Sequence, residues 1–368
     1  MGPLISVVIP IYRVEAFIER CARSLMEQTM DDVEYIFVDD CSPDGSIDIL
    51  NHVVAEYPQR KVQIIRHEVN HGLPAARNTG LAVTTGEYIF HCDSDDYMEC
   101  DALEKMYNKA VETDADIVYS DWYLDRPSLT PTVEGRTRYM RCPDYTSSST
   151  GGLQGAEEAL RGLLHGTMKY NVWNKLVRRE LYNLNPNDNE NDNPNDALYN
   201  NKGDCNDGAN EKVKVSVKVD DVSVVFPDGH GMGEDMTMIL LFARAQKVAY
   251  LPAATYHYVR QNENAFTAVR TAVSFADLRY NADRVIAALQ GRVPDGDIAA
   301  FKLNVKYPFL ISGHTADYER WQAWYPEANK YISSHQVSAR ARFLEKCAVR
   351  HFYFPLRFHH FLLQYLQR

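Results

Sequence analysis

Apolar and polar positions change period repeatedly over the first 120 residues, and each change predicts an element. Leu4-Ile5-Ser6-Val7-Val8-Ile9 is a β-branched run halted by Pro10, the pattern of a buried strand. Val14, Ile18, Cys21 and Leu25 then recur at spacings of four, three and four, which marks one apolar face of a helix. Tyr35-Ile36-Phe37-Val38 predicts a second strand ending in Asp39-Asp40, and Cys41 to Ser46 a turn with helix-start chemistry. Val62 to Ile65 predicts a third strand, Leu73 to Val83 a helix, and Glu87 to Cys92 a fourth strand. Ala102 to Val111 follows as a helix and Ala115 to Tyr119 as a further strand. Such alternation predicts an α/β fold whose mostly parallel sheet is flanked by helices.

Beyond residue 120 the pattern loosens. Thr146 to Gly152 is a Ser/Thr/Gly-rich link, and Ala156 to Leu164 is helix-like. Residues 185–222 hold nine Asp or Glu against four Lys, with many Asn and Gly, and predict a surface insertion. Within it, Val213, Val215, Val217 and Val219 alternate with polar neighbours as in a half-exposed hairpin. A lid, an acceptor-recognition element and a passive loop are all compatible with this composition. The expected division is one domain in two halves, 1–120 and 121–265, followed by a helical C-terminal region at 266–368.

Open parallel sheets bind ligands beyond the carboxyl ends of their strands. Three such ends carry polar chemistry: Pro10-Ile11-Tyr12, Asp39-Asp40, and Asp93-Ser94-Asp95-Asp96 after Tyr88-Ile89-Phe90. Clustered carboxylates repel one another unless a cation or hydrogen bonds offset them. The two-residue spacing sends Asp93 and Asp95 to one side of an extended segment. Two hard oxygen donors there suit Mg²⁺ or Mn²⁺, particularly beside a diphosphate. Asp96 is placed to cap the helix that follows. On its own, such a triplet reads equally as loop or cap residues.

The net charge of −11 over 368 residues argues against a nucleic-acid partner, which would need a surplus of Lys and Arg on some face. Seven scattered cysteines without a Cys-x-x-Cys pair point away from a disulfide framework or structural zinc and towards a reducing compartment. The N-terminus enters strand-like sequence at once, and no run approaches the length of a transmembrane helix. The expected location is cytoplasmic, or peripheral at the inner face of the cell membrane.

The order of several motifs adds what composition cannot. Val7-Val8-Ile9-Pro10-Ile11-Tyr12, Val38 to Ser46, Asn70 to Gly80 and Asp93-Ser94-Asp95-Asp96 are followed by Trp173-Asn174-Lys175-Leu176, Gly233-Glu234-Asp235-Met236 and Tyr256-His257-Tyr258. This series resembles the family 2 glycosyltransferases of GT-A fold, and it spans roughly residues 4–265 in the right order. The resemblance implies an inverting, metal-dependent enzyme that moves a sugar from a nucleotide-diphosphate donor, a UDP-sugar, to a glycan or lipid-linked acceptor in surface polysaccharide or lipopolysaccharide synthesis. Pro10, Tyr12, Asp39 and Asp40 would then hold nucleobase and ribose, with Asp40 favoured over Asp39. Arg77 would meet the diphosphate with help from Asn78, and Asp93 and Ser94 would complete the donor site. Asp93, Asp95 and His257 would be metal ligands for Mn²⁺ or Mg²⁺. Asp235 would act as base, with Glu234 orienting it or the acceptor. Trp173 and Lys175 would line the acceptor half, an indole face being able to stack on a sugar, although packing of Trp173 in the core is an equal reading. Arg13 departs from the family's usual small polar residue after the aromatic.

A second reading is a catalytically silent sugar-nucleotide-binding or scaffold protein of the same fold. The tail raises a separate question, because residues 340–368 combine six Lys or Arg, one Glu, three His and seven aromatics. Interleaved bases and aromatics suit a helix lying on an anionic membrane surface. They suit equally a helix packed on the protein with its bases in water.

Overall fold

The computed structural model describes residues 2–126, 135–145, 153–184, 224–260, 272–334 and 337–366. The 185–222 insertion with its expected hairpin, and the 146–152 link, lie outside the described residues. The chain divides into two compact units, residues 1–157 with 170–285, and residues 158–169 with 286–368. The second unit begins at 286, where the sequence placed the C-terminal region from 266, and it also takes in residues 158–169. A strand with hydrogen-bonded partners on both sides runs through residue 120.

The first unit contains β1 (Ile5–Ile11), β2 (Val33–Asp39), β3 (Lys61–Arg66), β4 (Tyr88–His91), β5 (Tyr97–Met98), β6 (Ile117–Arg126), β7 (Arg136–Met140), β8 (Lys175–Arg178) and β9 (Val248–Val259). They form one nine-stranded sheet in the order β3-β2-β1-β4-β8-β6-β9-β5, with β7 beside β6. The first four strands are parallel, while β8 runs antiparallel to both β4 and β6. β1 and β2 are buried along their whole length, as their unbroken apolar runs require. Pro10 is tolerated in the central strand because the β1–β4 ladder has already ended at Val8↔His91.

Strand order reverses at β1, whose neighbours are β2 on one side and β4 on the other. A crevice opens at such a point, beyond the strand ends. Helices α1 (Ile18–Met26), α2 (Ser46–Ala55), α3 (Leu73–Ala82) and α4 (Ala102–Thr113) connect this half. The turn before α2 behaves as its sequence implies: Asp44 Oδ1 accepts from the Ser42 and Ser46 hydroxyls at 2.7 and 2.6 Å. After α5 (Leu153–Leu164), α6 (Thr237–Arg244) and α7 (Ala272–Leu289), the second unit adds α8 (Asp295–Leu310), α9 (Thr315–Ala323), α10 (Ala339–Val349) and α11 (Phe354–Leu366). Residues 158–169 join this unit through its own bonds: His165 Nε2 lies 2.8 Å from Asp297 Oδ1, and Asn304 Nδ2 donates to the Leu164 carbonyl at 2.7 Å.

Gly80 sets how closely α3 lies on the sheet, since a Cβ there would come within 2.4 Å of Val8 Cγ1. Val8 is fully buried in β1 and has no room to yield. Gly80→Ala is therefore expected to cost about 1–3 kcal/mol by overpacking. Urea unfolding should show a lowered midpoint at an unchanged slope, and a midpoint equal to wild type would refute the close-approach account.

Candidate functional site

The three polar strand ends do meet around the switch point. Asp40 N donates to Ile11 O at 3.0 Å and His67 N to Asp39 O at 2.9 Å, which ties the ends of β1, β2 and β3 together. Asp39 is wholly buried; its Oδ1 accepts from Ser42 N at 2.7 Å and its Oδ2 lies 3.1 Å from Arg66 Nε. Asp40 is spent on the chain itself. Its Oδ1 meets His67 Nδ1 and His71 N, each at 2.8 Å, and its Oδ2 accepts from Gly72 N at 2.8 Å. Asp40 thus shapes the loop entering α3, and Asp39 the turn that leads to α2. Tyr12 is 41% exposed, and Arg13 lies over its ring at 5.3 Å. The departure residue therefore covers the aromatic that the resemblance assigns to the nucleobase. Arg13 adopts a left-handed φ of 55° and donates its N–H to Ser42 Oγ at 2.8 Å.

After β4 the chain does not stay extended as its sequence predicts: it turns at Ser94-Asp95, and Asp96 N donates back to Asp93 O at 3.1 Å. Asp93 and Asp95 are left partly exposed by this turn, with Ser94 and Asp96 buried. Asp96 points inward, where it accepts from Tyr256 OH at 2.8 Å and Val259 N at 2.7 Å. It does not cap α4, whose N-cap is Asp101. Burial, then the neighbouring Asp95 and Asp93, raise its pKa well above the carboxylate range.

Arg77 projects from α3 beneath Asp93. Its Nη2 donates to Asp93 Oδ1 at 2.9 Å, its Nε stands 3.5 Å from Glu234 Oε1, and its guanidinium covers the Phe226 ring at 5.5 Å. At 2% exposure it is a buried counter-cation, not the open diphosphate contact expected of it. Burial opposes its charge, but Glu234, Asp93 and Asp235 together outweigh this and raise its pKa. Burial and then Arg77 hold the neighbouring His91 well below its ordinary value.

Glu234 and Asp235 open a short 3-10 turn, Glu234–Met236, ahead of α6, and Gly233 enters it at a left-handed φ of 82°. Burial lifts Glu234 to about 8 against the pull of Arg77. Burial also lifts Asp235, to about 6, with Arg77 and Lys175 holding it lower than its neighbour. Burial thus raises both of two adjacent carboxyl groups above the ordinary carboxylate range, with Arg77 opposing the shift at each.

Lys175, on β8, is 1% exposed and donates to Asn171 O at 2.6 Å and Asn174 Oδ1 at 2.8 Å. Burial lowers its pKa to about 8. Sealed in this way, it bears on Asp235 rather than meeting an acceptor. Trp173 is 8% exposed, stacked with Tyr256 and Tyr258 at 4.8 and 5.3 Å and packed edge-on against Trp122. The core reading of Trp173 is the one realised. His257 is likewise taken: Nε2 lies 2.7 Å from Glu99 Oε1, Nδ1 lies 3.0 Å from Asp125 Oδ2, and the ring stacks on Tyr97. The β5–β9 register, which pairs Tyr97 with His257, sets these partners and leaves neither nitrogen for a metal.

Among the described residues no three His, Cys, Asp or Glu side chains converge as a complete metal cage. Asp93, 27% exposed on its side chain, and Asp95 are the partly exposed carboxylates of the turn after β4. This pair fits a hard divalent cation that completes its shell with diphosphate oxygens and water.

Sequence reasoning missed what brings Glu234-Asp235 to this place. Asn78 clamps the approaching segment: its Nδ2 donates to Phe226 O and Asp228 Oδ1 at 2.8 and 2.9 Å, while its Oδ1 accepts from Phe226 N at 2.8 Å. From α7, Asn281 Nδ2 donates to His230 O and Met232 O, each at 3.0 Å. Arg284 donates to Val225 O at 2.6 Å and Thr237 Oγ1 at 3.0 Å. Asp277 faces His230 Nδ1 at 3.2 Å. The spacing of Asp277, Asn281 and Arg284, four and then three residues, was a readable signal of one polar helix face.

A curled, mostly parallel α/β sheet with this carboxylate-lined crevice is the GT-A arrangement. Residues 6–180 match the family described as "Glycosyl transferase family 2", and the chain carries a family 2 glycosyltransferase domain. Over 186 residues it is 34% identical to "Uncharacterized glycosyltransferase EpsJ" of Bacillus subtilis, covering 50% of each protein. Over 116 residues it is 46% identical to the "Poly(ribitol-phosphate) beta-glucosyltransferase" of Bacillus spizizenii, 31% of this chain and 18% of that one. The chain thus spans half or less of the length of these curated relatives. The fold is also that of S. aureus TarS 1-349, solved in complex with UDP-GlcNAc, with a TM-score of 0.61 at 17% identity over 99% of this chain and 92% of that one.

Asp96→Ala takes the acceptor from the Tyr256 hydroxyl proton and from Val259 N–H in the interior, Tyr256 keeping only the bond its oxygen accepts from Asp93 N, and should cost about 2–4 kcal/mol. Asp96→Asn, which keeps the shape and sheds the buried acid, should cost under about 1 kcal/mol. Chemical denaturation of both variants checks this, and an Asn variant as damaged as the Ala variant would contradict it.

Proposed function

We propose that this domain is an inverting, metal-dependent glycosyltransferase that moves a sugar from a UDP-sugar to a glycan or lipid-linked acceptor of cell-surface polysaccharide. The observation that carries the reading is the convergence of Asp93, Arg77, Glu234, Asp235 and Lys175, drawn from four separate stretches of chain, at the switch point of the sheet. The similarity to a polymer glucosyltransferase and to a fold solved with UDP-GlcNAc supports the donor and acceptor class.

Asp93 and Asp95 would hold Mn²⁺ or Mg²⁺, which when bound offsets the charge growing on the departing nucleoside diphosphate. Pro10, Tyr12, Asp39 and Asp40 would frame the nucleotide, with Ser94 beside them. Asp40 acts through the loop it fixes, because both its oxygens are bonded, and Asp39 through its bond to Ser42, with its second oxygen facing Arg66. Asp235, ionised at neutral pH, takes the proton of the acceptor hydroxyl as its oxygen attacks the anomeric carbon and the bond from that carbon to phosphate breaks. Inversion follows from this single displacement. Glu234, carrying a proton, is placed to orient the acceptor.

Release of nucleoside diphosphate from UDP-sugars in the presence of Mn²⁺ tests the reading. Asp95→Ala and Asp235→Asn should each reduce turnover at least about a hundredfold, within the range of general-base loss. Equal turnover by all three proteins would exclude the mechanism. Metal-dependent nucleotide binding without turnover by wild type would favour the silent sugar-nucleotide-binding alternative.

The base must be deprotonated to work, so kcat/KM, which reports the free enzyme, should be flat above the Asp235 pKa of about 6. Below it, kcat/KM should fall about tenfold per pH unit. A profile flat down to pH ~4.5 would remove Asp235 from the role, since an unshifted carboxylate titrates there or lower.

A further inference from the structure

Helix α11 is built inside out for a helix in water. Phe354, Phe358 and Phe361, spaced by four and then three residues, share one face, and all three are exposed, Phe354 to 70%. Leu356 and His359, on the opposite face, are buried, and His360 Nδ1 lies 2.9 Å from Ile311 O. The helix is therefore anchored by one side, and its phenylalanines are left outward by that anchoring. The segment before it repeats the arrangement with charge. On α10 and its C-cap, Phe343, Lys346 and Arg350 lie along one exposed face, while Ala341, Leu344 and Ala348 are buried behind them. Exposed Phe352 lies between the two helices, and exposed Arg357 borders the phenylalanine face.

Six of the ten large hydrophobic side chains that stand exposed among the described residues fall between positions 343 and 361. The only acid of residues 340–368, Glu345, is buried, so the exposed charge of this stretch is wholly basic in a chain of net charge −11. Concentrated aromatic exposure marks an interaction surface. A protein partner could bury the phenylalanines, but the ring of Lys and Arg with no exposed acid asks for a surface that is anionic throughout. No helix among the described residues is long and apolar enough to cross a membrane.

We infer that residues 343–361 form a docking surface for an anionic phospholipid bilayer. The phenylalanines enter the headgroup region, and Lys346, Arg350 and Arg357 meet the lipid phosphates. This surface is independent of the transfer reaction and requires neither metal nor nucleotide.

Sedimentation of the full chain with phosphatidylcholine vesicles, with and without phosphatidylglycerol, tests the inference. Wild type should partition onto the phosphatidylglycerol vesicles and be released as salt rises. Lys346→Gln with Arg350→Gln should weaken partitioning roughly thirtyfold, from about 1 kcal/mol for each basic side chain. Phe354→Ser, Phe358→Ser and Phe361→Ser together should weaken it at least as much. Both variants alter exposed positions and should retain wild-type circular dichroism. Equal partitioning of wild type and the triple Ser variant would overturn the inference, as would failure of wild type to prefer the anionic vesicles. So would a dimer in ultracentrifugation that the triple Ser change dissolves without any vesicle binding, which would assign the face to a second copy of the chain.

Discussion

A guanidinium buried among three carboxyl groups governs the catalytic crevice. Arg77 leaves α3 with almost no access to water, and a charge in that position is tolerable only if opposite charge is held against it. Asp93 meets it from the end of β4 and Glu234 from the turn before α6, although more than a hundred residues separate those two in the chain. The rest of the site can be read as the apparatus that delivers these groups. Gly80 lets α3 lie close on β1, Asn78 clips the 226–228 segment to α3, and a polar face of α7 holds residues 225–237. Removing any one of these would leave part of the charge cluster unsupported.

The same burial that makes Arg77 necessary divides labour among the acids. One cation cannot stabilise the ionised form of every neighbour equally. Glu234, deepest beside Arg77, is lifted further than Asp235, which also feels Lys175. Asp96 is a third case, held in the interior by Tyr256 and Val259 at the end of a turn that leaves Asp93 and Asp95 partly exposed. Five acids of similar chemistry thus become a partly exposed pair, two groups beside Arg77 and an internal brace by position alone. Lys175 is a charge that acts across a sealed boundary, because its own donors are bound to Asn171 and Asn174.

Aromatic residues are disposed differently around β9 and along the last two helices. Trp173, Tyr256 and Tyr258 look from their motifs like ligand contacts, yet they stack on one another beside β9. In α10 and α11 of the second unit the large aromatic rings face outward while smaller side chains fill the interior. Where burial is available the rings are buried, so their exposure on an anchored helix marks a surface kept open for something else.

The sequence by itself determined the parallel half of the sheet, because β1, β2 and β4 are buried on both faces and must be written as unbroken apolar runs. The strand period did not carry past His91, because the chain turns between Asp93 and Asp96. Position in the motif order brought Glu234 and Asp235 into view. Strands β5, β7, β8 and β9 escaped notice because their pairing is long-range, and their register alone gives His257 to Glu99 and Asp125 rather than to a metal. Whether a charged side chain faces ligand or protein was likewise decided only in three dimensions. Arg77, Asp40 and Lys175 were legible as polar groups at strand and helix ends, but which partners would reach them first depends on chain segments that only folding brings together.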